Sequence, residues 1–286
     1  SCSPDNAPID ELKHHASFNE AAYLPLEAEV ISDISYGKHP QQVFDLYLPA
    51  GRSMAYTKIL VLIHGGGWIN GDKEDMSNFV AFLQEYHPDH AIVNLNYRLA
   101  VPGIVTAFPS QFYDVGSAIK HIIQKSEEYQ LSPEFGLIGA SAGAHLAMQY
   151  DYVYDTDNVV KFVGDIVGPT DFTDPHFTTN PNFQYFTQIF IDEEAYPLGT
   201  NLITEVSPAL RVSEKSSPTI MFYGKQDNLV PISNASTLDE KLNNYGIAHS
   251  FTKYNEGHGG WNISSIIDMQ SKLSAFIDLH LPIDFQ

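Results

Sequence analysis

Residues 135–150 leave the chain few ways to fold. Phe135-Gly-Leu-Ile138 is a short apolar run suited to a buried parallel strand, and it leads through Gly139-Ala-Ser-Ala-Gly143 into a segment, Ala142 to Tyr150, that reads as a helix. A strand that turns directly into a helix brings the two backbones so close that Gly139 and Gly143 leave room where a Cβ would clash. The turn is a G-x-S-x-G with Ser141 at its centre. A serine hydroxyl is a poor nucleophile, so an enzyme that uses one must expose it beside a base and place N–H donors where negative charge develops. Ala142 begins the helix, so its N–H is free to donate. The plainer alternative is a small-residue turn that only packs a helix on a sheet.

The rest of the chain supplies the partners for such a strand. Glu29 to Gly37 and Gln41 to Pro49 alternate in polarity and are separated by Gly37-Lys-His-Pro40, which predicts an antiparallel lead-in. Lys58–Ile63 is continuously apolar, as expected of a strand buried on both faces. Ala91–Asn96, Val159–Val167, Pro218–Tyr223 and His249–Tyr254 are read as further strands. Helices are expected up to about His87, capped by Asp72 or Ser77, and over Phe108–Gln130.

At 286 residues, with 43% apolar and 12% aromatic content, the chain is large enough for one sizeable core. Its formal charge of −20 opposes binding to nucleic acid or to an anionic membrane surface. With one cysteine there is no intrachain disulfide and no thiolate cluster for zinc, and no H-E-x-x-H occurs, so neither metal nor cofactor is expected. The lone Cys2, followed by Ser3-Pro-Asp-Asn6, resembles the start of a mature bacterial lipoprotein, which implies a lipid anchor at Cys2 and export to the periplasm or a membrane surface. A chance terminal cysteine in a cytoplasmic protein is the alternative. Residues 1–28 are accordingly read as a tether and a helix, with Ile9, Leu12 and Ala16 on one face and His14 and His15 toward solvent. Residues 29–286 are read as a single domain.

The Lys58–Ile63 run ends directly in His64-Gly-Gly-Gly-Trp68, where three glycines permit unusual backbone angles and bring N–H groups close to a ligand. Trp68 either lines a pocket or packs the loop, and packing is the favoured reading. Of twelve histidines, His258 alone sits in a glycine-flanked loop after the final strand, where a mobile imidazole can reach Ser141. His145, inside the helix after Ser141, is read as structural.

These motifs resemble the α/β-hydrolase superfamily, specifically its H-G-G-G-W carboxylesterases, which include hormone-sensitive-lipase-like and bacterial feruloyl-esterase-like enzymes. The resemblance runs from about Val43 to Leu281 and implies a mainly parallel sheet with helices on both faces, antiparallel N-terminal strands and a small lid. It implies that Gly66, Gly67 and Ala142 form an oxyanion hole, that Arg98 of the Tyr97-Arg-Leu99 segment pairs structurally with Asp114, and that Asp227, in the loop after Tyr223, is the acid of a triad. Ser141, Asp227, His258 is the chain order such enzymes show. Ala100-Val-Pro-Gly103 stands where many members have A-P-E, and the large N-terminal cap of the hormone-sensitive-lipase branch is missing from the pattern. Residues 169–206 resemble the family's cap insertion and carry Phe172, Phe177, Phe183, Tyr185, Phe186, Phe190 and Tyr196 among prolines, asparagines and acids. Of these, Phe172 and Phe186, with Trp68, are the candidate pocket walls.

The function that follows is a serine carboxylesterase acting through an acyl-enzyme on a small-molecule ester with a short or aromatic acyl group. A serine peptidase of the same fold and a non-catalytic ligand-binding homologue are the alternatives. Oligomeric state is open at the level of sequence.

Overall fold

The computed structural model describes residues 24–285. Cys2, the tether, and His14 and His15 of the expected first helix lie outside the described residues. One sheet is built from β1 (Glu29–Ser35), β2 (Val43–Leu48), β3 (Ile59–Ile63), β4 (Ala91–Leu95), β5 (Phe135–Ala140), β6 (Val160–Ile166), β7 (Thr219–Gly224) and β8 (His249–Tyr254), in the order β1-β2-β4-β3-β5-β6-β7-β8. β2 pairs antiparallel with β1 and β4, and all other pairings are parallel. In chain order the helices are α1 (Ser77–Tyr86), α2 (Ser110–Gln124), α3 (Ser126–Tyr129), α4 (Ala142–Gln149), the short α5 (Pro175–Thr178), α6 (Phe186–Phe190) and α7 (Leu202–Glu205), then α8 (Ile232–Asn244) and α9 (Ile263–His280).

The continuous apolar runs are interior strands because both faces of the sheet are covered. Along β3, Ile59, Val61 and Ile63 join one apolar cluster with α2, α4 and α8, while Leu60 and Leu62 join a second with α1 and α9. All five side chains are buried, and each such burial is worth roughly 1.5–3 kcal/mol. β3 lies between β4 and β5, so the chain changes direction across the sheet at this point. A crevice opens at the carboxyl ends of strands at such a switch, which places the glycine loop after β3 beside the turn after β5.

Helix boundaries differ from expectation in places. The Phe108–Gln130 helix is two pieces: α2 opens only after Pro109, since a residue preceding proline avoids the helical region, and α3 ends at Gln130 with φ +56°. Neither expected residue caps α1, which follows Met76 with no side-chain cap; Asp72 instead caps the 3₁₀ turn Lys73–Met76 that leads into it, its carboxylate accepting from Glu74 N–H at 2.9 Å. α4 ends at Gln149 and continues as a wider turn through Tyr154. Residues 169–206 form a string of short helical turns, and the polar residues that break the apolar pattern are their caps. Asp174, Asn180, Asp192 and Asn201 each accept a backbone N–H at the start of a turn, with Pro175 and Pro181 next in two cases.

Candidate active site

β5 delivers Ser141 to the crevice in a conformation that few residues adopt, φ 53° and ψ −119°. Close packing enforces it. A Cβ on Gly139 would lie 2.3 Å from the Gly143 carbonyl carbon, and one on Gly143 would lie 2.0 Å from Ile63 O, so α4 rests directly on β5 and β3. The Ser141 N–H donates to Ile166 O at 2.8 Å, which leaves the hydroxyl facing the cleft.

His258 and Asp227 meet it there. Ser141 Oγ is 2.8 Å from His258 Nε2, and His258 Nδ1 is 2.7 Å from Asp227 Oδ2. Asp227 Oδ1 accepts from the N–H groups of Leu229 (2.8 Å) and Val230 (2.9 Å). Burial pushes the Asp227 carboxyl up, but the hydrogen bonds from His258, Val230 and Leu229 outweigh it and hold the group below the usual carboxylate range. An ionised Asp227 can only accept, so the imidazole proton sits on Nδ1 and Nε2 is free to take the serine proton.

The loop bearing His258 is pinned by residues that sequence reading did not single out. Gln226 N–H donates to Glu256 O at 2.9 Å, and Trp261 Nε1 donates to Gly257 O at 2.9 Å. Glu256 Oε1 accepts from Asn262 N–H (3.0 Å), from Ser265 Oγ (2.9 Å) and from the Asn262 amide, which ties the loop to the start of α9. A carboxylate six residues ahead of an asparagine N-cap was the only signal in the sequence.

On the other side, Gly66 (φ 117°), Gly67 (φ 60°) and Trp68 (φ 66°) form a left-handed turn. The N–H groups of Gly66, Gly67 and Ala142 donate to no other described residue, and all three residues line the cleft with Ser141 and His258. The expected pocket residues Trp68, Phe172 and Phe186 line the same cleft, whose volume is about 570 Å³. Trp68 does more than pack its loop: it is half-buried, forms one wall, and its ring meets those of Phe172, Phe186 and Phe190. Phe177, Phe183 and Phe190 also line the cleft, as do Leu229 and Val230 from the Asp227 loop, which sequence reading missed, whereas Tyr185 and Tyr196 do not. The Arg98 guanidinium reaches Asp114 at 2.6 Å, and Asp114 also accepts from Arg98 N–H at 2.8 Å, a pair that fixes the segment after β4 to α2. Among the described residues, no group of three or more His, Cys, Asp or Glu is disposed to hold a metal ion.

A second buried acid lies in the core beneath the site. Asp165 on β6 accepts from Gly168 N–H at 2.9 Å and touches the Tyr223 hydroxyl, which also lies 2.6 Å from Gly168 O. One phenolic proton cannot serve two acceptors. A protonated Asp165 resolves this by donating to Tyr223, which then donates to Gly168. Burial raises the Asp165 carboxyl to about 7, against the lowering effect of Tyr223 and Gly168. Because the folded value lies above the unfolded one, the protonated acid stabilises the fold fully below about pH 4, and this is lost as pH rises through about 7. Asp165→Asn, whose amide can donate to Tyr223, is expected to make the fall in melting temperature between pH 5 and pH 8 shallower than in the parent. It will not be flat, since Asp151 is raised to about 7 by burial as well. An unchanged slope would mean that Asp165 is ionised in the fold.

Residues 44–242 match the model of the BD-FAE family. The chain is similar to esterase LipC of Mycobacterium tuberculosis, 22% identical over 242 residues that cover 79% of this chain and 59% of that protein. It is also similar to arylacetamide deacetylase of Oryctolagus cuniculus, 30% identical over 160 residues that cover 54% of this chain and 38% of that protein. The chain thus spans about half the length of the curated relatives it matches. Among solved structures, carboxylesterase Cest-2923 from Lactobacillus plantarum superposes with a TM-score of 0.69 at 16% identity, covering 91% of this chain and 100% of that one. A truncated carbohydrate esterase from gut microbiota superposes with a TM-score of 0.66 at 20% identity, covering 89% and 98%. At these identities the likeness is one of fold, that of the α/β-hydrolases.

Proposed function

The chain belongs to the BD-FAE family, and we propose that it is a serine carboxylesterase working through an acyl-enzyme. The observation that carries this reading is the unbroken relay from Asp227 through His258 to Ser141, at 2.7 and 2.8 Å, at the floor of an apolar cleft. Ser141 Oγ attacks the ester carbonyl carbon while His258 Nε2 takes its proton. The oxyanion so formed is held by the N–H groups of Gly66, Gly67 and Ala142. His258 then protonates the departing alkoxide, and a water activated by the same imidazole releases the acid. Throughout, the Asp227 carboxylate stabilises the imidazolium and keeps the ring oriented.

The cleft favours a short or flat acyl group. Its walls are rings packed on one another, with centroid separations of 4.7 Å for Phe172–Phe186, 5.4 Å for Phe183–Phe186 and 5.1 Å for Phe186–Phe190. These rings come from residues 169–206, which we read as a lid: a set of short turns with no long helix to roof a deep channel. A chain-length series of p-nitrophenyl esters below micelle-forming concentrations is expected to give kcat/KM values for acetyl to butyryl esters at least tenfold above decanoyl. A maximum at ten carbons or beyond would make the enzyme lipase-like. A dipeptide amide run alongside is expected to be cleaved far more slowly than p-nitrophenyl acetate. The reverse order would favour a peptidase, and no turnover of either a binding homologue.

A further inference from the structure

Two residues other than glycine at the cleft have φ in the left-handed region, Ser141 and Trp68. Such a conformation persists only where the surroundings over-determine it. The elbow packing accounts for Ser141. Trp68 sits in a loop, its indole among the rings of His145, Phe172, Phe186 and Phe190, and its own polar groups hold it as well. Its carbonyl accepts from Ala100 N–H and from Gln111 Nε2, each at 2.9 Å, and its indole N–H donates to His145 Nδ1 at 3.1 Å.

His145 stands one helical turn beyond Ser141, and its backbone N–H donates to Ser141 O at 3.1 Å. The side chain is wholly buried, with the rings of Trp68, Phe108, Phe112 and Phe172 at centroid distances of 5.1–5.6 Å. Its Nε2 lies 2.8 Å from Val206 O, an atom that can only accept, so the ring proton belongs on Nε2. That leaves a lone pair on Nδ1 for the indole. One neutral tautomer therefore satisfies both contacts, whereas a second ring proton would face the indole donor. Burial keeps the ring neutral by pushing it down to about 4.

We propose that His145 is a positioning residue for the oxyanion loop. Through Nδ1 it fixes the Trp68 indole, and with it the left-handed turn that aims the Gly66 and Gly67 N–H groups, in register with Ser141 on its own helix. Through Nε2 it also fastens Val206, where residues 169–206 rejoin the sheet. The inference rests on the reading of Gly66 and Gly67 as oxyanion donors.

The test compares the parent with His145→Phe, His145→Asn, Trp68→Phe and the Trp68→Phe/His145→Phe double variant. p-Nitrophenyl acetate is the substrate, because its acyl group is too small to need the aromatic walls. His145→Phe and Trp68→Phe are each expected to lower kcat at least tenfold with KM within threefold. His145→Asn, which keeps an acceptor near the Nδ1 position, is expected to recover most of that loss. The double variant is expected to be no slower than His145→Phe, since both substitutions remove one bond. Losses that multiply, or an unchanged kcat with only a lower melting temperature, would overturn the proposal in favour of simple packing. If His145→Phe does not fold, Trp68→Phe and His145→Asn decide the matter by the same criteria.

A second readout does not depend on hydrolysis. The protein has two tryptophans, so ¹⁵N-labelled indole gives two signals, and the Trp261 indole, bonded to Gly257 O, serves as the internal reference. Hydrogen exchange of the Trp68 indole N–H is expected to be slow in the parent and His145→Asn proteins and fast in His145→Phe, with Trp261 unchanged. Equal exchange in all three would overturn the proposal. A parent that hydrolyses no ester would refute the esterase reading alone, and the indole signals would still decide whether His145 holds Trp68.

Discussion

Ser141→Ala is expected to lower kcat for p-nitrophenyl acetate by on the order of a million-fold and to leave the melting temperature nearly unchanged. The asymmetry follows from what the hydroxyl does. Its one side-chain hydrogen bond is to His258 Nε2, and the residue's φ of 53° is set by backbone packing at Gly139 and Gly143, not by the side chain. Alanine occupies the same turn with the same strain and loses only the hydroxyl, the proposed nucleophile. Steady-state kinetics beside a thermal melt check both halves. Activity within tenfold of the parent would remove Ser141 from the chemistry.

Asp227→Asn is expected to cost on the order of 10⁴-fold in kcat, again in a folded protein. Leu229 and Val230 bond to Oδ1 and His258 bonds to Oδ2, so an asparagine can keep its carbonyl oxygen on the two backbone N–H groups. Its NH₂ group then faces His258 Nδ1, which must accept, and the ring proton moves to Nε2. An imidazole in that tautomer cannot take a proton from Ser141. A loss below tenfold would mean that another group orients His258.

Much of this was legible in the residues, and the reasons are physical. A strand covered on both faces is mostly apolar, so β3 and β5 stand out as continuous runs and β4, β6 and β7 as runs broken only by Asn94, by Lys161 and Asp165, and by Thr219. A serine on a strand-to-helix elbow needs small neighbours within two residues, and a loop that offers N–H groups needs glycine, so both halves of the site are written locally. What escaped reading depends on groups far apart in the chain. Leu229 and Val230 look like ordinary loop apolars until Asp227 folds back on their N–H groups. Glu256 looks like one surface acid among many until α9 brings Asn262 and Ser265 to it. His145 is read from sequence only as structural; its link to Trp68 spans 77 positions and carries no periodic signal. Residues 169–206 broke the pattern because their caps are the same residue types that fill loops.

If His258 and Asp227 activate Ser141 for acylation, as proposed, a phosphonate that mimics the acylating ester will label that one serine. The protein is treated with a p-nitrophenyl alkylphosphonate, digested with trypsin and sequenced by mass spectrometry. Lys125 and Lys161 bound a peptide of residues 126–161 that contains Ser141. One adduct per chain, on Ser141, with ester hydrolysis lost in proportion and labelling slowed in His258→Ala, is the predicted result. An adduct on another residue, or full ester hydrolysis in a protein labelled at Ser141, would contradict it.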